Sequence, residues 1–174
     1  MAVDLETAIR TRRTVKAFKP EPVDRSTLEE ILELARWAPN HHLTSPWRFR
    51  VLGPETLERL KDAAGPAAAP KLDRAPTLVV CSCVSSEDEE TAEEDLHATA
   101  VAAYIVLLAA HGRGLAGYWR TPGVLRAAAG RAAVELPDAE RFVGLLHLGE
   151  AADATARLTP RERAPLGDTV SYLP

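Results

Sequence analysis

Residues 12–18 read Arg12-Arg13-Thr14-Val15-Lys16-Ala17-Phe18, three fixed positive charges and a hydroxyl within five residues, closed by an aromatic. A helical pattern precedes them and Lys19-Pro20-Glu21-Pro22 follows as a Pro-punctuated turn. The stretch therefore reads as a helix end running into an extended segment. Two guanidinium forks and a hydroxyl suit a phosphate, because each fork can pair with two phosphate oxygens. Such a bond contributes about 1.5–3 kcal/mol when shielded from water. Lys16 lies two residues beyond Thr14, on the same side of an extended chain and several Å further along, where it would meet a second, electron-rich group. Two other readings stand beside this one: a solvated helix C-terminus complementing the helix dipole, and an arm for nucleic acid or anionic lipid.

Working outward, Asp4 to Thr11 reads as a short helix with Leu5, Ala8 and Ile9 on one face. Downstream, Ser26-Thr27-Leu28-Glu29 predicts a capping box opening a helix that carries Leu28, Ile31, Leu32 and Ala35 and ends before Pro39. Residues 39–46 form a polar loop. Trp47 to Leu52 alternates as a strand with Trp47, Phe49 and Val51 on one face, and Gly53-Pro54 opens a helix to about Ala64. Residues 65–76, rich in Ala, Pro and Gly, read as a loose connection. Thr77 to Val84 is a nearly continuous apolar strand and so predicts a central one. The acids from Glu87 to Asp95 read as a solvated loop and the charged first turns of a helix. That helix, about Thr91 to His111, turns apolar nearly all round after His97, the pattern of a helix buried inside a dimer. Leu115 to Trp119 predicts a short strand leading into Arg120-Thr121-Pro122-Gly123, then a helical stretch to about Ala129, then a strand from Phe142 to Gly149. Residues 151–174 have no strong periodicity and are expected to wrap over something. With no internal repeat, residues 1–174 read as a single domain.

The chain of 174 residues is long enough to bury a real core, with 46% hydrophobic and 26% charged residues as in an ordinary globular chain. Its formal net charge of −4 argues against nucleic acid as the main partner. Cys81 and Cys83 share one face of a strand and read as buried reduced thiols, with no second Cys or His pair to complete a metal site. His97, His111 and His147 lie in apolar stretches and read as core or helix-end residues, and the adjacent His41 and His42 point in different directions. No signal peptide precedes Asp4 and no uninterrupted apolar run reaches membrane-spanning length, so the expected location is cytoplasmic with no membrane partner.

Four stretches in order now carry a resemblance. Arg12-Arg13-Thr14-Val15-Lys16-Ala17-Phe18 is similar to an Arg-x-Ser-x-Lys/Arg-x-Phe motif. Ala38-Pro39-Asn40-His41-His42-Leu43-Thr44-Ser45-Pro46-Trp47-Arg48-Phe49 is similar to Ala-Pro-Ser, a few polar residues, then Gln-Pro-Trp-x-Phe. The apolar helix ends in Gly112-Arg113-Gly114-Leu115-Ala116-Gly117-Tyr118-Trp119, and Arg161-Glu162-Arg163-Ala164-Pro165-Leu166 looks like a late basic pair. Together they resemble the FMN-dependent nitroreductase family, particularly its short NAD(P)H nitroreductase-like members.

The resemblance implies an α+β fold, a central, mostly antiparallel sheet flanked by helices in an entwined homodimer with FMN in the interface. Arg12, Arg13 and Thr14 then correspond to positions that hold the FMN phosphate and ribityl chain, and Arg161 and Arg163 complete the phosphate site. Lys16 matches the basic residue near the flavin pyrimidine edge, where positive charge favours the reduced ring. Pro39, Asn40 and His41 would lie over the other subunit's flavin. Trp119, Arg120 and Thr121 sit where the family aims backbone N–H groups at flavin N5. The implied chemistry is ping-pong hydride transfer from NADPH or NADH through N5 to a small acceptor such as a nitroaromatic or quinone, with no side-chain nucleophile and no metal. The chain departs from many members at Leu43 and Ser45, where Asn and Gln are usual. Its His41-His42 pair marks a subset. Alternatives kept open are another flavin reaction on the same fold, such as reductive dehalogenation or oxidation by oxygen, a non-enzymatic FMN-sequestering protein, and the basic-arm nucleic-acid binder. No Gly-x-Gly-x-x-Gly fingerprint is present to separate NADH from NADPH.

Overall fold

The computed structural model describes residues 4–153 and 162–174. Four strands, β1 (Trp47–Val51), β2 (Thr77–Val84), β3 (Ala116–Arg120) and β4 (Glu140–Gly149), form one antiparallel sheet in the order β1-β2-β4-β3. Five α-helices cover it: α1 (Leu5–Thr11), α2 (Arg25–Ala35), α3 (Pro54–Ala64), α4 (Glu89–Gly112) and α5 (Ala128–Ala133). The expected α+β architecture with an antiparallel sheet between helices is what the chain adopts.

Strand alternation divides the core in two. Val79 and Cys81 of β2 and Leu146 and Leu148 of β4 face α2 and α4, meeting Leu28, Ile31, Ala102, Val106 and Ala110. Their neighbours Leu78, Val80 and Leu145 face the opposite way, onto Leu60 of α3, Leu72, Leu125 and Ala133. Every residue of β2 but the last is buried, as expected of an interior strand. The connection 65–76 is pinned by Leu72 and Ala75, both buried, and carries a 3-10 turn at Ala69–Lys71.

Helix starts are set by aspartates. Asp4, Asp24 and Asp88 each accept a hydrogen bond from the backbone N–H three residues on, satisfying donors that the first turn leaves free. The predicted Ser26 capping box is corrected by this: Asp24 caps α2, and Ser26 donates to the Asp24 carboxylate instead. Bonds from Ser26 and Thr27 hold that carboxyl down to about 2. Likewise α4 opens at Glu89, earlier than predicted, and the helical stretch after β3 is a 3-10 turn, Gly123–Arg126, followed by α5.

Helix α4 has 24 residues, about 36 Å of rise. By length and composition it could cross a membrane, although no uninterrupted run suggested one, but half of its apolar window is packed inside the fold. One stripe stays uncovered: His97, Val101 and Tyr104 are exposed along it. Residues 162–174 are also exposed, with a single 3-10 turn at Leu166–Asp168, so this part of the tail does not wrap over the core within one copy.

Candidate functional site

The basic stretch begins where α1 is clamped to α4. The hydroxyl of Thr11 bonds the carbonyl of Thr7 and meets Nε2 of His111 at 2.7 Å, inside the fold. Arg12 caps the helix in an extended conformation, and the chain then runs to the start of β3. Thr14 makes a parallel bridge with Gly117, and Phe18 an antiparallel one with Ala151. Val15 is buried between Ala116 and Ala151, while Lys16 points into solvent. Alternation along this segment therefore sends Val15 inward and leaves Thr14 and Lys16 outside on a common side, as the spacing predicted. Gly117 itself packs tightly on β4: a Cβ there would stand 2.9 Å from the carbonyl oxygen of His147.

Arg12 and Arg13 are half-buried, and the Nε of each is buried with no hydrogen-bond partner among the described residues. Arg12 lies over the ring of Tyr104, 5.6 Å from its centroid, a cation–π contact. An unpartnered buried guanidinium N–H is costly unless an acceptor completes it. Two of them on consecutive residues, with an exposed threonine hydroxyl next along the chain, offer a candidate cradle whose chemistry suits an oxyanion.

At the far end of β3, Trp119 is turned into the α4 side of the sheet. Its Nε1 donates to the Val143 carbonyl at 3.2 Å and its ring covers Gly144, where a Cβ would stand 2.0 Å from Nε1. The indole is thus tied to the sheet. Arg120 donates to the Lys71 carbonyl, and Thr121 follows the strand in an exposed position.

The loop after α2 is built differently. His42, Leu43 and Ser45 all have positive φ, between 47° and 54°, a region costly for residues other than glycine. Four side-chain bonds hold it. Asn40 accepts from Ser45 N and donates to the Ala38 carbonyl, Thr44 donates to Asp95, and His41 pairs with Glu94 at 2.7 Å. The rings of His41 and His42, expected to point in different directions, instead stack at 3.9 Å, the left-handed backbone at His42 bringing them together. Pro39 and Leu43 are exposed.

The structure groups Arg12, Arg13 and Thr14 at the C-terminal half of α4, and Pro39, Asn40 and His41 at its N-terminal turns. Tyr104 and Asp95 are nine residues apart on that helix, about 14 Å of rise, and His111 and Glu94 about 26 Å. One copy does not bring the two groups together. Arg163 is exposed and donates to the carbonyl of its neighbour Glu162, and Arg161 lies outside the described residues. Tyr104, His111, Glu94, Asp95 and Gly144 all shape the site and were not singled out as its residues. The acids were concealed in a run that looks solvated. His97, expected in the core or at a helix end, is exposed on α4.

Two buried groups stand apart from this surface. Burial raises the Cys81 thiol, which keeps it un-ionised and inert. His147 is stacked on Tyr118 at 4.2 Å with both ring nitrogens unpartnered, and burial, with help from Arg120 and Arg74, holds it down to about 3.

Comparison with known proteins places these features. Residues 9–71, which contain both the basic stretch and the loop, match the Nitroreductase family. The chain is 29% identical to Bacillus subtilis YfhC, named for NAD(P)H nitroreductase activity, across 91% of this chain and 92% of that one. It superposes on a nitroreductase-like family protein from Bacillus cereus with a TM-score of 0.88 at 24% identity, covering 99% and 97% of the two chains. The FMN-dependent nitroreductase NfnB from Mycobacterium smegmatis, solved in complex with NADPH, has the same fold, with a TM-score of 0.79 at 19% identity over 97% of each chain.

Proposed function

We propose that the chain is a nitroreductase-family, FMN-dependent oxidoreductase drawing electrons from NADPH or NADH and delivering them to small acceptors such as nitroaromatics or quinones, a reading supported by its similarity to that family. The observation that carries this reading is the pair of buried, unpartnered Nε atoms of Arg12 and Arg13 beside Thr14. Bound FMN would supply the redox chemistry, accepting a hydride from the nicotinamide and passing the electrons on once the oxidised nicotinamide has left.

The chain's own residues bind and orient. Arg12 and Arg13 would neutralise the FMN phosphate and fill their empty donor sites with it, and the Thr14 hydroxyl would reach the adjoining ribityl chain. Lys16 would set a positive charge beside the electron-rich ring edge, favouring uptake of an electron pair. Trp119, Arg120 and Thr121 would line the reactive side of the ring, the indole held in place by Gly144 and Val143. Arg161 and Arg163 would complete the phosphate contacts.

Pro39, Asn40 and His41 would serve the site of a second copy. The separation of the loop from the basic stretch along α4 supports a homodimer in which the exposed His97–Val101–Tyr104 stripe meets its own image. A two-fold axis across antiparallel α4 helices sets the loop of one copy against the cradle of the other.

The deciding experiment is the visible spectrum of the protein reconstituted with FMN, before and after anaerobic NADPH or NADH. The expected result is stoichiometric bound flavin that bleaches on addition of the nicotinamide, and loss of the bound flavin in Arg12→Ala. Flavin retained at full stoichiometry by Arg12→Ala would move the phosphate site elsewhere. Flavin that binds but does not bleach would favour a sequestering protein.

A further inference from the structure

Helix α4 reaches the end of α1 with two residues of one face. Tyr104 and His111 lie seven positions apart, close to two turns. His111 Nε2 meets the Thr11 hydroxyl at 2.7 Å inside the fold, which ties down the backbone from which Arg12 departs. Tyr104 takes the other end of that side chain: the Arg12 guanidinium carbon lies over its ring, 5.6 Å from the centroid. The core does not call for a tyrosine here. Ala102, Ala103, Val106 and Leu107 around it are buried, whereas Tyr104 is exposed. One arginine of the candidate cradle is thus anchored at its root and at its tip by the same helix.

We propose that Tyr104 is a positioning residue for the flavin phosphate, acting through Arg12. The inference rests on the FMN-dependent reading above and adds to it a residue that the sequence did not mark. A guanidinium is drawn to the electron-rich face of an aromatic ring, while its N–H donors spread around its own planar edge and stay available to phosphate oxygens. A long arginine side chain otherwise samples many rotamers, and a ligand must freeze them as it binds. Holding the fork over the ring before the phosphate arrives removes part of that cost. The ring does this, and the phenolic hydroxyl has no part in it. The effect is confined to ligands that carry the phosphate.

The test titrates the full chain, freed of flavin, with FMN and with riboflavin, which lacks the phosphate, and follows binding by flavin fluorescence. Thermal stability and oligomeric state are recorded for Y104F, Y104L, R12A and the R12A/Y104L double variant, because Tyr104 also lies on the stripe assigned to a second copy. The expected result is that Y104L weakens FMN binding roughly three- to tenfold and leaves riboflavin binding unchanged. Y104F keeps the ring and should bind both as the parent does. In the R12A background, Y104L should add no further loss. Equal weakening of FMN and riboflavin would give Tyr104 a role in the fold or the dimer and overturn the proposal. So would a loss in Y104F as large as in Y104L, a parent-like FMN affinity in Y104L, or a Y104L effect undiminished by R12A. Failure of the flavin reading itself would appear separately, as a parent protein that binds neither FMN nor riboflavin.

Discussion

Replacing His147 with leucine should flatten the acid side of the stability profile. His147 is fully buried and both its ring nitrogens lack partners. Its ordinary value of 6.5 falls to about 3 in the fold. An unfolded chain takes up a proton on this imidazole as the pH drops through about 6.5, while the folded chain refuses it until about 3. Stability is therefore present above 6.5 and is lost progressively as the pH falls toward 3. At about pH 5 the loss amounts to roughly 1.5 pH units at 1.36 kcal/mol each, near 2 kcal/mol. Any folded value below about 4 gives the same figure at that pH. In His147→Leu this component vanishes, while every acidic group contributes as before. The substitution forfeits the Tyr118 stack, about 0.5–1.5 kcal/mol, but removes two desolvated nitrogens, so stability at neutral pH should change little. The assay is urea unfolding of both proteins at about pH 7 and pH 5, at one fixed protein concentration and FMN loading. The parent should lose about 2 kcal/mol more than the variant between the two conditions. Equal losses would mean that His147 is protonated or solvated in the folded state, and the reasoning would fall.

Gly144→Ala should force the Trp119 indole off its seat, because the new Cβ would stand 2.0 Å from Nε1. Overpacking and loss of the bond to Val143 together should cost about 2–4 kcal/mol in denaturant unfolding, with weaker FMN binding if the end of β3 lines the ring. Glu140→Ala should cost about 2–3 kcal/mol in the same measurement, because it strands the partly buried Arg50 fork and the buried Ser82 hydroxyl. Hydrogen bonds from Arg50 and Ser82, with the Arg50 charge, hold Glu140 below the usual carboxylate range against the opposing effect of burial. Its contribution is therefore present at neutral pH and fades in acid, so the parent and the variant should converge at low pH.

Much of this fold was legible because periodicity reports burial directly. The continuous apolar run of β2 specified an interior strand, and strand alternation put Trp47 and Phe49 on the core side, while Val51, expected with them, is exposed. Boundaries were harder to read. Asp24 outcompeted Ser26 as a cap, and nothing in the local pattern separates a carboxylate that accepts from Thr27 from one that merely precedes a helix. For the site, the basic stretch could be read because Arg, Arg and Thr in a row carry their own chemistry. Glu94 and Asp95 could not, because their use depends on a loop some fifty residues away. Gly144 was equally silent. Its role exists only through an indole on the adjacent strand.

The loop from Asn40 to Ser45 ties these observations together. Left-handed backbone at His42, Leu43 and Ser45 costs of order 1–3 kcal/mol per residue, and the bonds to Asn40, Glu94 and Asp95 are what hold it. Within one copy that cost gains nothing: Leu43 is 82% exposed and covers no part of the core. Strain maintained by four side-chain bonds around an exposed leucine is what the proposed homodimer would account for, the partner copy being the surface that receives it. The cradle at Arg12 and Arg13 has the converse character, two buried donors with nothing among the described residues to accept them. The exposed stripe of α4 runs between the two. In the proposed homodimer, a second copy packed antiparallel on that stripe would give each loop a cradle to cover and each cradle a roof that excludes water. Exclusion of water is also what would give Arg12 and Arg13 their full strength toward a phosphate.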